Sequence, residues 1–368
     1  MEVNLQEITE NVRRLIKFVG PRTKLLAVVK SNGYGYGMES VARAALRGGA
    51  SWLGVATAEE GIRLRNVGIA APVLVLGRTE PALAGEVVRF GLCQSVWDRE
   101  LLESLSSWSS RLNKPAKVQI EVDTGMGTSG LLPSETRRFG ELVMDARGVQ
   151  LEGVYTHLAK VDQGDSEACR EQLRLFQSAV DALAGAGIRP GIRHACNTGG
   201  IALVPEGHLD MVRSGCGVLG MWPFQFPDPI GLKEAVAFKS RVEFVKELPE
   251  GAGVSYGSAF RCRRRTVLAG VPVGYGQGMP RKLSFGGQVL VRSRRVPIVG
   301  LICMNRFTVD VTEVPGVEPG DEVVICGEQG GQRISVAEAA MGAGIGVGEF
   351  LLPYLLPKVY LDNATGGL

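Results

Sequence analysis

Apolar residues follow two rhythms along the chain. From Leu25 to about Leu219, short unbroken apolar runs alternate with longer stretches of helical spacing. LLAVV (Leu25–Val29), WLGVA (Trp52–Ala56), PVLVLG (Pro72–Gly77), VQIEVD (Val118–Asp123), LEGVYTH (Leu151–His157), IRHAC (Ile192–Cys196) and LDMVR (Leu209–Arg213) read as strands, and segments such as EEGIRLRNVG (Glu59–Gly68) read as helices between them. Continuous, β-branched apolar runs suit strands covered on both faces, and their alternation with helices predicts a parallel (β/α)8 TIM-like barrel, an α/β fold. After about Phe238 the runs shorten and are broken by Gly and Pro: RVEFVKEL (Arg241–Leu248), TVLAGVPV (Thr266–Val273), GQVLV (Gly287–Val291), PIVGLICM (Pro297–Met304) and DEVVICG (Asp321–Gly327). With one helical stretch, SVAEAAMGAG (Ser335–Gly344), this predicts a C-terminal, mostly-β domain. The proline-rich WPFQFPDPIGL (Trp222–Leu232) is the expected linker, which sets domains at 1–232 and 233–368.

In a parallel barrel the C-terminal strand ends build the active site, so side chains that close these apolar runs matter most. AVVKSNGYGYG (Ala27–Gly37) ends a strand on Lys30, whose primary amine can condense with a carbonyl as a Schiff base. Gly33, Gly35 and Gly37 permit a tight turn against a ligand, and Tyr34 offers it a hydroxyl. HACNTGG (His194–Gly200) and RSGCG (Arg213–Gly217) follow two further strands with small polar side chains and exposed backbone amides, as a phosphate requires. Of the three histidines, His157 closes a strand, whereas His194 and His208 read as structural.

The 368 residues exceed a typical single domain, and 50 glycines with 45% hydrophobic residues fit a compact enzyme with many tight loops. A net charge of +3 and basic clusters without interleaved aromatics (Arg261–Arg265, Ser293–Arg295) argue against a nucleic-acid partner. The seven cysteines are scattered, with no CxxC pair and no metal-ligand spacing, so neither a disulfide framework nor a metal site is expected. The amino-terminal segment lacks an apolar signal region and no 18-residue apolar span occurs, so a soluble, cytoplasmic protein without a membrane partner is expected.

From the Lys30 motif onward the sequence resembles the alanine racemase family. The resemblance implies pyridoxal 5'-phosphate as cofactor, held covalently by Lys30, with Tyr34, Asn197, Thr198, Gly215 and Cys216 around its phosphate. It implies that Arg213 faces the cofactor's ring nitrogen and that His157 lies beside the ring in reach of Arg213. VSYGSAF (Val254–Phe260) resembles the family's catalytic tyrosine motif. Racemisation needs a base on each face of the α-carbon, and the resemblance makes these Lys30 and Tyr256, the latter reaching the partner subunit of a homodimer with composite sites. VGYGQG (Val273–Gly278) and VGLICMN (Val299–Asn305) resemble loops that bring Tyr275 and Met304 to the amino-acid substrate, and PYLLPK (Pro353–Lys358) makes Tyr354 a further phosphate contact.

Four positions depart from the family pattern. In EVDTGMGTSG (Glu121–Gly130), Glu121 stands where the family usually has a carbamylated lysine, which a fixed anionic carboxylate can replace, and Thr128 stands where an arginine binds cofactor and substrate. Leu301 replaces an entrance arginine and Asn305 an aspartate. L- and D-alanine are the substrates that the resemblance implies, with altered scope expected from Thr128. The alternatives are racemisation of serine or a larger amino acid, and decarboxylation by an enzyme of similar architecture, although its EPGR motif is missing. A non-catalytic carrier of the cofactor would resemble the barrel alone.

Overall fold

A computed structural model describes residues 1–224, 226–350 and 358–362, in two compact units: Ile8–Leu232, and Met1–Glu7 together with the described residues from Lys233 onward. The chain opens with β1 (Glu2–Asn4) and α1 (Leu5–Val19). It then alternates β2 (Lys24–Val28), α2 (Met38–Arg47), β3 (Trp52–Val55), α3 (Ala58–Asn66), β4 (Val73–Val75), α4 (Ala84–Arg89), β5 (Cys93–Val96) and α5 (Arg99–Leu112). The second half follows with β6 (Ala116–Glu121), α6 (Thr136–Asp145), β7 (Val149–Tyr155), α7 (Ser166–Gly185), β8 (Ile192–His194), α8 (Thr198–Leu203) and β9 (Met211–Ser214). Strands β2 to β9 form a closed barrel, and β9 seals it by pairing in parallel with β2, Leu26 opposite Arg213 and Ala27 opposite Ser214.

Local chemistry starts several of these helices. Thr57, Asp98, Asp165 and Asn197 each accept a backbone N–H of the first turn of α3, α5, α7 and α8, satisfying a donor that the helix leaves open. Inside the barrel Leu26, Trp52, Leu74, Cys93, Tyr155, Ile192 and Met211 pack together. Strand β5 has no counterpart in the sequence reading because Gln94 and Ser95 interrupt its apolar run. Both are fully buried: Gln94 accepts from Thr79 Oγ1 at 2.6 Å and donates to Gly77 O at 2.8 Å, and Ser95 Oγ meets Tyr155 Oη at 2.8 Å.

The second unit contains β10 (Val236–Arg241), β11 (Phe244–Leu248), β12 (Gly253–Val254), β13 (Phe260–Arg261), β14 (Thr266–Val271), β15 (Gln288–Val291) and β16 (Arg294–Val299). It continues through β17 (Phe307–Asp310), β18 (Glu322–Gln329), β19 (Gln332–Ile334), α9 (Val336–Ala343), α10 (Val347–Phe350) and β20 (Val359–Leu361). Its main sheet runs β11-β14-β17-β16-β15-β18-β10-β1-β20, antiparallel except where β20 joins β1, with β19 on β18 and a separate hairpin β12-β13. The stretch Pro297–Met304, read as one strand, ends as a strand at Val299 because Gly300 turns the chain at φ +73°. Residues 1–7 belong with this unit rather than with the barrel, since Val3 pairs with Val236 and Tyr360.

All seven cysteines are free thiols. Among the described residues no helix is long and apolar enough to cross a membrane, and no cluster of His, Cys, Asp and Glu is placed to hold a metal ion.

Helix α1 packs where α2 ends. A Cβ added to buried Gly48 would lie 2.6 Å from Val12 Cβ and 2.7 Å from the Thr9 carbonyl oxygen, which is backbone and cannot swing aside. Gly48→Ala is expected to destabilise the protein by about 1–3 kcal/mol, as overpacking does, measured by the urea midpoint.

Candidate active site

A cavity of about 460 Å³ opens at the C-terminal ends of the barrel strands. Lys30, Tyr34, Thr128, His157, Asn197, Thr198, Arg213, Gly215 and Cys216 all line it, joined by Glu121, Met126, Ser129 and Tyr155. The topology accounts for the convergence: Glu121 and Tyr155 are the last residues of β6 and β7, Lys30 and Asn197 follow β2 and β8, and Arg213 lies in β9.

After β2 the backbone winds left-handed. Ser31, Asn32, Gly33 and Tyr34 have φ of 54°, 55°, 66° and 55°. Each non-glycine residue in that conformation costs roughly 1–2 kcal/mol. The turn places Tyr34 so close to Gly215 that a Cβ there would lie 2.0 Å from the tyrosine oxygen. Only glycine fits at 215, and burial raises the proton affinity of the Tyr34 hydroxyl above it. Beside this contact Thr198 Oγ1 meets Ser214 Oγ at 3.0 Å, and Asn197 Oδ1 caps α8 through Gly200 N at 3.1 Å.

Arg213 is buried at the cavity floor, with acceptors on both terminal nitrogens. Nη1 donates to His194 Nδ1 at 2.8 Å, and Nη2 donates to Thr156 O at 2.7 Å, Ala195 O at 3.0 Å and His157 Nδ1 at 3.2 Å. Burial and the adjacent guanidinium lower the pKa of His157 to about 3, and the same two causes lower that of His194 well below the ordinary imidazole value. Both rings are therefore neutral and accept from the arginine. His194 then carries its proton on Nε2 and donates to Gln119 Oε1 at 2.6 Å. Its ring also stacks on Tyr155, with centroids 4.8 Å apart, while Arg213 lies 5.1 Å from the Tyr155 centroid. His194 lies outside the cavity lining and acts through Arg213; His208 bonds Ile201 O at 2.8 Å. Tyr155 and Gln119 had no signal in the sequence beyond a polar residue within a strand.

Glu121 closes β6 in an unusual state for a carboxylate. Oε1 accepts from Ser129 Oγ at 3.0 Å, while Oε2 is buried without a hydrogen-bond partner. Burial raises its pKa, against the opposing pull of the Ser129 and Tyr155 hydroxyls and Arg213. Burial thus makes the ionised form of Glu121 costlier than that of an ordinary glutamate. Thr128 lies exposed at the end of a loop gathered by Asp123, whose Oδ1 accepts the amides of Gly125, Met126 and Gly127 at 2.9, 2.9 and 3.0 Å.

In the second unit, the hairpin β12-β13 carries exposed Tyr256. Ser255 precedes it at φ 68° and ψ −177°, a region glycine dominates, and its Oγ donates to Leu301 O at 3.0 Å. Tyr275 N donates to Cys303 O at 3.1 Å and Gly276 N to Met304 O at 2.8 Å, so the Tyr256, Tyr275 and Met304 loops are tied together. Gln277 Nε2 further donates to Asn305 Oδ1 at 3.1 Å. Tyr354 lies outside the described residues.

A closed parallel barrel that gathers a lysine and an arginine in one cavity, followed by a β unit, defines a two-domain enzyme. Residues 3–223 match the family model "Alanine racemase, N-terminal domain" and residues 235–352 match "Alanine racemase, C-terminal domain". An alanine racemase of Symbiobacterium thermophilum is 45% identical over 340 residues, spanning 92% of this chain and 90% of that protein. One of Desulfovibrio desulfuricans is 41% identical over 327 residues, spanning 89% and 88%. Among solved structures, alanine racemase from D-cycloserine-producing Streptomyces lavendulae superposes with a TM-score of 0.93 at 34% identity, over all of this chain and 97% of that one. That of Streptomyces coelicolor gives 0.94 at 31% identity, over 98% and 97%. The chain belongs to the alanine racemase family.

The Glu121 pKa has a signed consequence for stability. A carboxyl raised above its ordinary 4.5 contributes stability while protonated, and that contribution is lost as pH rises from 4.5 through the folded-state value. Relative to Glu121→Gln, the parent's melting temperature is therefore expected to fall as pH rises across that window. A parent that gains on the variant instead would mean a stabilised carboxylate.

Proposed function

We propose that this chain is a pyridoxal-phosphate-dependent isomerase that interconverts L- and D-alanine, with Lys30 and Tyr256 as its two proton-transferring residues. The convergence of Lys30, Tyr34, Arg213 and the Gly215–Cys216 turn on one cavity, in a chain of this family, carries the reading. The residues present suit the cofactor. The cavity falls in the range of small-molecule sites, and Gly215 leaves backbone where any side chain would strike Tyr34. Lys30 would hold the aldehyde carbon covalently, Tyr34, Asn197, Thr198, Gly215 and Cys216 the phosphate, and His157 one side of the ring.

When bound, the cofactor supplies an electron sink for negative charge at the substrate's α-carbon. Arg213, the residue for its ring nitrogen, offers donors and no transferable proton, and its four acceptors keep it from turning away. Lys30 exchanges a proton with one face of the α-carbon and Tyr256 with the other. The exposure of Tyr256 on its hairpin supports its service to a partner subunit, which makes the working form a cytoplasmic homodimer with composite sites. Met304 and Tyr275, tied to the same loops, would frame the substrate.

Thr128 favours a second reading of scope. A threonine hydroxyl forgoes a charge-assisted hydrogen bond of about 1.5–3 kcal/mol that an arginine would give a carboxylate, so alanine binds more weakly and serine or larger amino acids compete better. A chiral assay over L- and D-amino acids, with carbon dioxide release measured alongside, tests both. Alanine is expected to racemise without decarboxylation. Lys30→Ala is expected to lose the visible absorption of lysine-bound cofactor, and Tyr256→Phe to lower the rate about 10²–10⁴-fold. Variants that racemise as well as the parent would defeat the two-base assignment.

A further inference from the structure

We propose that Glu60 is a positioning residue of the active site: its carboxylate clamps the left-handed turn that aims Lys30 and Tyr34 into the cavity. The inference rests on Lys30 being the cofactor's anchor. Glu60 does not line the cavity; it sits behind it, three residues after the Thr57 cap of α3, with its own N–H held by Thr57 Oγ1 at 3.3 Å. Fixed there, its two oxygens face two different backbone segments. Oε1 accepts from Asn32 N at 3.2 Å, inside the left-handed turn, and Oε2 accepts from Ala56 N at 2.8 Å, just past the end of β3.

The strain of the turn makes such a clamp necessary. Three non-glycine residues, Ser31, Asn32 and Tyr34, hold positive φ, and each would relax to the right-handed or extended region if released. Internal hydrogen bonds close the turn, Gly33 N to Val29 O at 2.8 Å, Gly35 N to Ser31 O at 2.9 Å and Gly37 N to Asn32 O at 2.8 Å. None of them joins it to the rest of the barrel. Two contacts do so on either side of Lys30: Val29 N donates to Gly54 O of β3 at 2.7 Å, and Asn32 N donates to Glu60. The lysine backbone is thereby pinned before and after to the neighbouring strand and the helix that follows it. Asn32 Oδ1 accepts from Met38 N at 3.2 Å and anchors the far end to the start of α2.

A carboxylate is the group this geometry needs. Both partners are N–H donors, so both oxygens must accept, and a carboxamide would set its own NH₂ against one of them. Glu60→Gln is therefore expected to disturb the turn although its size is unchanged. Glu60→Asp keeps two acceptors but falls one methylene short of reaching both segments.

The test uses the full-length protein reconstituted with pyridoxal phosphate. In Glu60→Gln, cofactor affinity, read by the visible absorption of lysine-bound cofactor, is expected to fall at least tenfold. Without cofactor, deuterium uptake by residues 29–37 is expected to rise while the rest of the barrel exchanges as in the parent. Glu60→Asp should fall between the two proteins. Ser31→Gly, which removes one strained residue at an exposed position, is expected to restore at least threefold of the lost affinity when combined with Glu60→Gln. Cofactor affinity within twofold of the parent in Glu60→Gln overturns the proposal, as does unchanged exchange at 29–37 or a failure of Ser31→Gly to rescue. A parent that shows no lysine-bound cofactor, with Lys30→Ala as reference, overturns the cofactor reading and this inference with it.

Discussion

A guanidinium buried inside a barrel dictates much of what surrounds it. Arg213 cannot be deprotonated under ordinary conditions and is almost wholly buried, so most of its N–H groups must meet acceptors supplied by the fold. Two come from carbonyls at strand ends, Thr156 and Ala195, and two from imidazoles kept neutral by burial and by the same positive charge. The demand then spreads outward. His194 donates to Gln119, Tyr155 stacks on His194 beside the arginine, and Ser95 holds the Tyr155 hydroxyl. One charge thus explains why several strands carry polar residues where a packed barrel would otherwise be apolar.

The same polarity decided what could be read beforehand. Strands such as β2 and β4 announce themselves because nothing polar interrupts them, whereas β5 hides because Gln94 and Ser95 have partners that only the closed barrel supplies. Lys30, His157, Asn197 and Gly215 were legible because each closes or follows an apolar run, and a parallel barrel gathers such ends. Glu60 was illegible for the opposite reason. On a helix with two consecutive glutamates in its first turn it looks like any solvated carboxylate, and only the path of another segment brings it the Asn32 donor. His194 reads as structural in sequence, and its hold on Arg213 arises only where the closed barrel brings β8 and β9 side by side. The raised pKa of Glu121 likewise arises from burial, and one of its oxygens is left without a partner, neither of which spacing reveals.

Strained backbone marks both residues proposed to move protons. Lys30 begins a turn with three non-glycine left-handed residues, and Tyr256 follows Ser255 in a conformation that side chains seldom adopt. Such conformations persist only where surrounding contacts over-determine them. For Lys30 these are Gly54 and Glu60; for Tyr256, the Leu301 carbonyl. Stability given up locally is exchanged for side chains that cannot wander.

Strand β1 has a consequence for how the molecule is made. Its partner β10 is synthesised only after every residue of the barrel, so in sequence terms the barrel is an insertion within the β unit. At roughly 5–20 residues per second, the growing chain carries β1 unpaired for about ten to fifty seconds. The barrel, whose strands pair with near neighbours until β9 meets β2, is free to close during that interval. A strand synthesised before the barrel thus finds its place only after it.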